Sequence, residues 1–253
     1  MKPAIVIPFF NHERAIARTV ASLRGYGLPC WLVDDGSDAR CAPVLDGIAA
    51  AESRWLTLLR LPRNGGKGRA VVAGLEAARR AGCSHAVQID ADGQHDAGDL
   101  GRLLEVAAAN PGAVVTGIPV YDRSVPRSRL YGRYATHLWV WINTLSGEIR
   151  DSMCGFRVYP LEAALHAWDG RRGASRMEFD SEILVRLSWA GVPVISVPTR
   201  VTYPHDGVSH FRLWRDNLRI SAMHARLFFG MLARLPRLLA RRRGAAAMPG
   251  RQP

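Results

Sequence analysis

The sequence predicts an α/β fold: a mainly parallel sheet with helices on both faces, followed by an amphipathic helix towards the C-terminus. Three observations predict it. Short apolar runs alternate with helix-period segments from residue 3 to residue 116. Polar and acidic clusters follow those runs directly, and in open parallel sheets ligands bind outside the carboxyl ends of the strands. The 253 residues suffice for one large α/β domain with a short appendage, or for two small domains, and they show no solenoid or propeller repeat.

Residues 3–8 read as a buried strand, and 12–26 as a helix with Ile16, Val20 and Leu23 on one stripe. A second strand, 29–33, ends in the acidic turn Asp34-Asp35-Gly36-Ser37, and a third covers 57–61. Residues 69–81 are Ala-rich and free of Pro and Gly except Gly74, which predicts a helix. A fourth strand, 86–89, ends in Asp90-Ala91-Asp92; a helix over 99–109 and a fifth strand over 113–116 follow. The second half is less regular. Residues 124–146 are basic and then aromatic, 179–190 form a helix bearing Ile183, Leu184 and Leu187, and 192–201 hold two extended pieces around Pro198. The tail reads as a long amphipathic helix that Pro236 kinks or breaks.

The net charge of +12 is uneven: residues 212–253 hold ten Arg and one acid, Asp216, leaving only +3 on the first 211 residues. Such a tail suits an anionic surface better than a globally basic nucleic-acid binder. Cys30, Cys41, Cys83 and Cys154 have neither zinc spacing nor disulfide density, which suits a reducing cytoplasm. Asn11, His12 and Glu13 break the first apolar run too early for a signal peptide. The longest apolar stretch, 134–147, has 14 residues. A bilayer needs about 20, so no transmembrane helix is expected.

Asp90-Ala91-Asp92 is the central motif. Two carboxylates at i and i+2 after a strand can hold a hard cation such as Mg²⁺ or Mn²⁺ against a nucleotide diphosphate, and Gln94 can add a third oxygen. Asp34 and Asp35 close another strand, where a carboxylate can accept from a ribose or a base N–H; N-capping is the structural alternative. Asn64-Gly65-Gly66-Lys67-Gly68 precedes a helix and offers backbone N–H groups and a Lys to an anion, without the longer spacing of an ATPase phosphate loop.

Taken in order, IVIPFFNHE, LVDDGSD, NGGKG and QIDADGQHD resemble the inverting family 2 glycosyltransferases, on the dolichyl-phosphate mannosyltransferase-like side. Further on, DSMCGFRVYP and DGVSHF resemble that family's later segments, so the likeness runs over residues 3–211. The resemblance implies a glycosyltransferase A-type, Rossmann-like domain over 1–211. Pro8, Phe10, Val33 and Asp35 then fall where the family contacts the nucleotide, and Asp90, Ala91, Asp92 and Gln94 on its donor and metal segment. Phe10 stands where the family has Tyr, His12 where it has Glu, and His210 where it has Lys; Arg157, Lys67 and His210 remain as positive groups for the diphosphate.

Inverting transfer to a hydroxyl needs a general base, for which Asp180, Glu182 and Asp151 are candidates; a phosphate acceptor needs none, being already ionised. The stretch from Arg123 to Tyr134, with Trp139 and Trp141 behind it, suits a lipid headgroup or a lipid-linked acceptor. In the tail, Arg215, Arg219, Arg226, Arg234, Arg237 and Arg241 lie on one side of the helical wheel. Ile220, Leu227, Met231, Leu235 and Leu238 lie on another. That is the pattern of a helix in a membrane interface, expected over 212–243, with 244–253 disordered.

The expectation is therefore an enzyme moving sugar from a UDP- or GDP-sugar to a lipid or lipid-phosphate acceptor, peripheral on the cytoplasmic membrane face. A nucleotidyltransferase would want a Gly-rich, Arg- and Lys-bearing N-terminus, which PFFNHE is not. A binding protein without transfer would have lost the acidic pair. A nucleic-acid binder would interleave stacking aromatics with its arginines, and no nucleic acid partner is expected.

Overall fold

In the computed structural model, which describes residues 1–121, 127–168, 175–202 and 213–246, alternation along strand β1 (Pro3–Phe9) builds two cores. Ala4 and Val6 enter one apolar cluster; Ile5, Ile7 and Phe9 enter the other. Strands β2 (Cys30–Asp34), β3 (Leu56–Arg60) and β4 (His85–Gln88) lie parallel to it, as neighbours in the order β3-β2-β1-β4. A sheet buried on both faces needs helices on both. Helices α1 (Ile16–Leu23), α2 (Ala42–Ala51) and α4 (Leu100–Ala109) cover one face with Ile16, Val20, Leu45, Leu100 and Leu103. Helix α3 (Lys67–Arg80) covers the other with Ala70, Val71 and Leu75. It lies so close that a Cβ at Gly74 would overlap Val6, and one at Gly68 would overlap Phe179, which accounts for the two glycines in that helix.

The sheet continues through β5 (Val114–Tyr121), β6 (Arg157–Pro160) and β7 (Val194–Val201) in the order β4-β6-β5-β7. Among the seven strands of the described residues only β6 runs antiparallel. Helix α5 (Arg127–Thr144) links β5 towards β6, and α6 (Leu161–Ala167) and α7 (Phe179–Ala190) follow. Residues 192–201 differ from expectation: Pro198 sits inside one continuous strand, opposite Ile118. Strand β7 is the edge of the sheet, where a residue without an N–H is tolerated.

The tail forms α8 (Leu213–Leu232) and α9 (Leu235–Ala246), broken just before Pro236 as expected. Its apolar stripe is placed differently from the expectation. Leu227, Met231 and Leu238 are buried, and Met223 and Leu227 join the core beside α5 and α7. Each such side chain contributes about 1.5–3 kcal/mol when removed from water. Helix α9 runs through Ala246, so residues 244–246 are helical; 247–253 lie outside the described residues. Among the described residues no helix is long and apolar enough to cross a membrane.

Candidate donor and metal site

The carboxyl ends of β1, β2 and β4 bring Phe10, Asp35 and Asp92 to the same open end of the sheet, because these strands are parallel and in register. Pro8 and Val33 face each other in that register and are buried, Val33 within the core. They shape the floor rather than present a side chain. Asn11 adopts a left-handed backbone (φ 52°), which Asn tolerates; its amide nitrogen donates to Asp38 (3.1 Å), and its amide oxygen accepts from the Asp38 N–H (2.9 Å).

Asp34 and Asp35 do different work. Asp34 accepts from the Ser37 N–H (3.0 Å), the turn bond of an Asx motif. Asp35 is buried and accepts from the Gly65 and Gly66 N–H groups at 2.8 and 2.7 Å. It therefore clamps the Gly-rich loop onto β2. Burial pushes the Asp35 carboxyl up, against the pull of those two bonds. Gly66 has φ 98°, and a Cβ there would overlap Ser175 and Arg176; Arg176 in turn donates to Asn64 (2.8 Å). The loop's backbone thus faces protein as well as the helix start.

Lys67 opens α3 and turns into the sheet end, with its ammonium 2.8 Å from Asp90 and 2.6 Å from Asp180. Burial alone would lower the Lys67 pKa, but the two carboxylates outweigh it and raise it. Asp180, at the first turn of α7, also accepts from Gln88 (3.0 Å). Gln88 is fully buried in β4 and also accepts from the Tyr159 hydroxyl (3.1 Å). The sequence signal of this network is a lone amide, Gln88, inside the apolar run HAVQI.

Ala91 points into the core between Asp90 and Asp92, which leaves both acids partly exposed at the strand end. Asp92 accepts from the Gln94 N–H (3.0 Å), which curls the chain so that Gln94 follows closely. Burial and then the neighbouring Asp90 raise the Asp92 carboxyl. In Asp90, burial is outweighed by Lys67 and His95, and the net direction is down. His95 approaches Asp90 at 4.0 Å, packs against Phe156, and keeps a buried Nδ1 without a hydrogen-bond partner. Gly155 lies so close to Asp90 that a Cβ would overlap the carboxylate, the structural reason for glycine before Phe156 and Arg157.

The donor set suits a hard divalent cation. Asp90 Oδ1 is buried without a hydrogen-bond partner, and the Asp92 carboxyl is near enough for the Asp90 charge to raise it. Among the described residues no three acid, His or Cys side chains already converge as a closed cage. Two carboxylates would leave positions for diphosphate oxygens and water, which Mg²⁺ and Mn²⁺ readily take.

The remaining candidates among the described residues are engaged with protein groups. Arg157 is fully buried and donates to Thr116 Oγ1 (3.1 Å), the Asp180 carbonyl (2.6 Å) and the Ser152 carbonyl (2.7 Å). Its fork braces the site from behind and offers no face to a diphosphate. Lys67 likewise serves carboxylates. His210 lies outside the described residues. Glu182 is buried and accepts from Arg186 (2.7 Å) and from Arg226 of α8 (2.5 Å), so it joins α7 to the tail. Asp151 is buried too. It accepts from Arg133 (2.5 Å) and from the Met153 and Cys154 N–H groups (2.9 and 2.8 Å).

A parallel sheet whose strand ends gather an Asp-x-Asp pair and a Gly-rich helix start is the A-type architecture of enzymes that handle nucleotide-sugars. Glucosyl-3-phosphoglycerate synthase from Mycobacterium tuberculosis, crystallised with Mn²⁺ and UDP-glucose, shares this fold over 92% of this chain and 78% of its own. The TM-score is 0.62 and the identity 18%. The model of the glycosyl transferase family 2 matches residues 4–164, and the chain belongs to that family. The polyprenol monophosphomannose synthase of Mycolicibacterium smegmatis is 27% identical over 250 residues, 92% of this chain and 88% of that protein. The dolichyl-phosphate beta-glucosyltransferase of Dictyostelium discoideum is 29% identical over 183 residues; the match spans 68% of this chain and 54% of that protein.

Proposed function

We propose that this glycosyltransferase moves a sugar from a UDP- or GDP-sugar to the phosphate of a lipid carrier at the cytoplasmic face of a membrane. The observation that carries the acceptor class concerns the three acids named as candidate bases. Asp180 is bound by Lys67, Glu182 by Arg186 and Arg226, and Asp151 by Arg133. Burial would raise the Asp151 carboxyl, but Arg133 overrides it and keeps it low, which makes it a weak base. A phosphate acceptor is already ionised and needs no base. The names of the relatives, which act on dolichyl or polyprenol phosphates, support the same class.

In this reading an acceptor phosphate oxygen attacks the anomeric carbon from the face opposite the diphosphate. The bond from that carbon to the diphosphate oxygen breaks, and a nucleoside diphosphate leaves. Asp90, Asp92 and Gln94 would hold Mg²⁺ or Mn²⁺, which offsets the charge growing on the leaving diphosphate. Asp35 fixes the Gly-rich loop, and Lys67 fixes Asp90, so the donor pocket is set before the donor arrives.

The test is product formation by the full chain with Mn²⁺, UDP- and GDP-sugars, and either a short-chain polyprenyl phosphate or the corresponding polyprenol. Transfer to the phosphate alone is the expected result. Transfer to the alcohol at a comparable rate would show that a base operates and would overturn the acceptor class.

A further inference from the structure

The arginine-bearing tail helix has two apolar faces, and the buried one leaves the other exposed. Along α8, Met223, Leu227 and Met231 pack on the domain. Trp214, Leu218, Phe229 and Leu232 are 86, 73, 69 and 43% exposed. At about 100° per residue these four fall within roughly 60° on the wheel, opposite the buried face. Helix α5 repeats the arrangement. Val140 and Asn143 are buried, while Tyr134, Leu138 and Trp141, spaced as one stripe, are exposed. Trp139 bridges the two helices, stacked on His224 at 6.1 Å and set edge-on to Phe228 at 6.4 Å. The pair therefore presents apolar and aromatic residues on the sides turned away from the core.

Charge decides what covers that surface. Helix α5 contains no acid, and the single acid of α8, Asp216, is buried and bonded to Arg219 (3.3 Å). Arg215, Arg219 and Arg226 flank the exposed stripe of α8 on one side and are all exposed. A second copy meeting this face would bring arginine rows together. An anionic lipid surface instead supplies phosphates to the arginines, an apolar layer to Leu218 and Phe229, and a headgroup boundary to the tryptophans.

We infer that the outer face of the α5–α8 pair seats the enzyme on an anionic bilayer. On α5 the Arg133 side chain turns inward to Asp151, while the next residue, Tyr134, is exposed on the stripe. This deepens the lipid-acceptor reading and rests on it for its purpose, but not for its test.

The test is flotation of the full chain with phosphatidylcholine vesicles, with and without phosphatidylglycerol, for the wild type and for Trp214→Ala/Leu218→Ser/Phe229→Ser. These side chains are exposed, so the variant keeps the wild-type melting temperature. The wild type should float with the anionic vesicles, less so in high salt. The triple variant should lose binding by about tenfold or more. Arg215→Gln/Arg219→Gln should lose the preference for phosphatidylglycerol. A folded triple variant that floats like the wild type overturns the inference, as does a wild type that ignores vesicles but dimerises through these residues. Turnover with a water-soluble short-chain acceptor, measured beside flotation, separates the two ideas. Flotation lost with no transfer to any lipid phosphate leaves the face and removes the acceptor; the reverse leaves the acceptor and removes the face.

Discussion

The Lys67 ammonium lies 2.6 Å from the Asp180 carboxylate and 2.8 Å from Asp90, so the lysine of the Gly-rich loop binds the acidic end of the sheet to α7. Lys67→Met leaves the buried Asp180 and the partly exposed Asp90 without their shared cation and should cost up to roughly 3–5 kcal/mol. Asp180→Asn keeps the Gln88 contact and leaves Lys67 with Asp90, so it should cost less. Denaturant unfolding of both variants and of the double variant checks this. Strictly additive losses would mean that the pair is not coupled.

Gly155→Ala tests the packing against Asp90. The added methyl must displace the Asp90 carboxylate, because the Cβ position overlaps it. Donor binding in Mn²⁺ should weaken about tenfold or more while the fold survives, because the change is local. Calorimetric titration of donor into the folded variant measures it, and wild-type affinity would show that Asp90 does not position the donor.

Glu182→Gln separates joint from base. The buried carboxylate holds Arg186 and the exposed Arg226, so its loss should cost about 1–3 kcal/mol and loosen α8. Turnover per folded molecule with a soluble acceptor should stay within about threefold of wild type. A variant with the wild-type melting temperature and no turnover would make Glu182 a catalytic acid after all.

The acid side of the stability profile should carry the mark of Asp151. Burial pushes its carboxyl up, but Arg133, His137 and the Met153 N–H outweigh it, so the folded pKa lies below the unfolded one. Its contribution is therefore full above about pH 4 and is lost as pH falls through the depressed folded value. Melting temperature against pH for wild type and Asp151→Asn reads this out. The variant should be less stable at neutral pH and show a flatter acid limb; parallel curves would remove Asp151 from the linkage.

Much of the sheet was legible because its residues obey period two between turn signals, and the site because acids and glycines sit just after the strands. Strand β6 was not. RVYP is short and starts with a charged residue, whose burial is possible because Arg157 finds four acceptors inside the protein. The tail showed one apolar stripe and one row of arginines, but the sequence cannot say which of two apolar faces a helix buries. Leu227 and Met231 go inward because α5 and α7 offer them a core, and Trp214 and Phe229 are left outside. The acids of α7 meet Lys67 and Arg226, partners too distant in sequence for spacing to pair them.

The central claim is a cation-dependent nucleotide-sugar site at Asp90 and Asp92, and thermal shift with UDP- and GDP-sugars tests it most directly. A ligand that binds the native state raises its melting temperature by mass action, about 2.7 kcal/mol of stabilisation at a hundredfold excess over the dissociation constant. The wild type should gain melting temperature with one class of nucleotide-sugar in Mn²⁺ and lose that gain in EDTA. Asp92→Asn should melt like the ligand-free wild type under every condition. An equal gain in EDTA, or an undiminished gain in Asp92→Asn, would contradict the account.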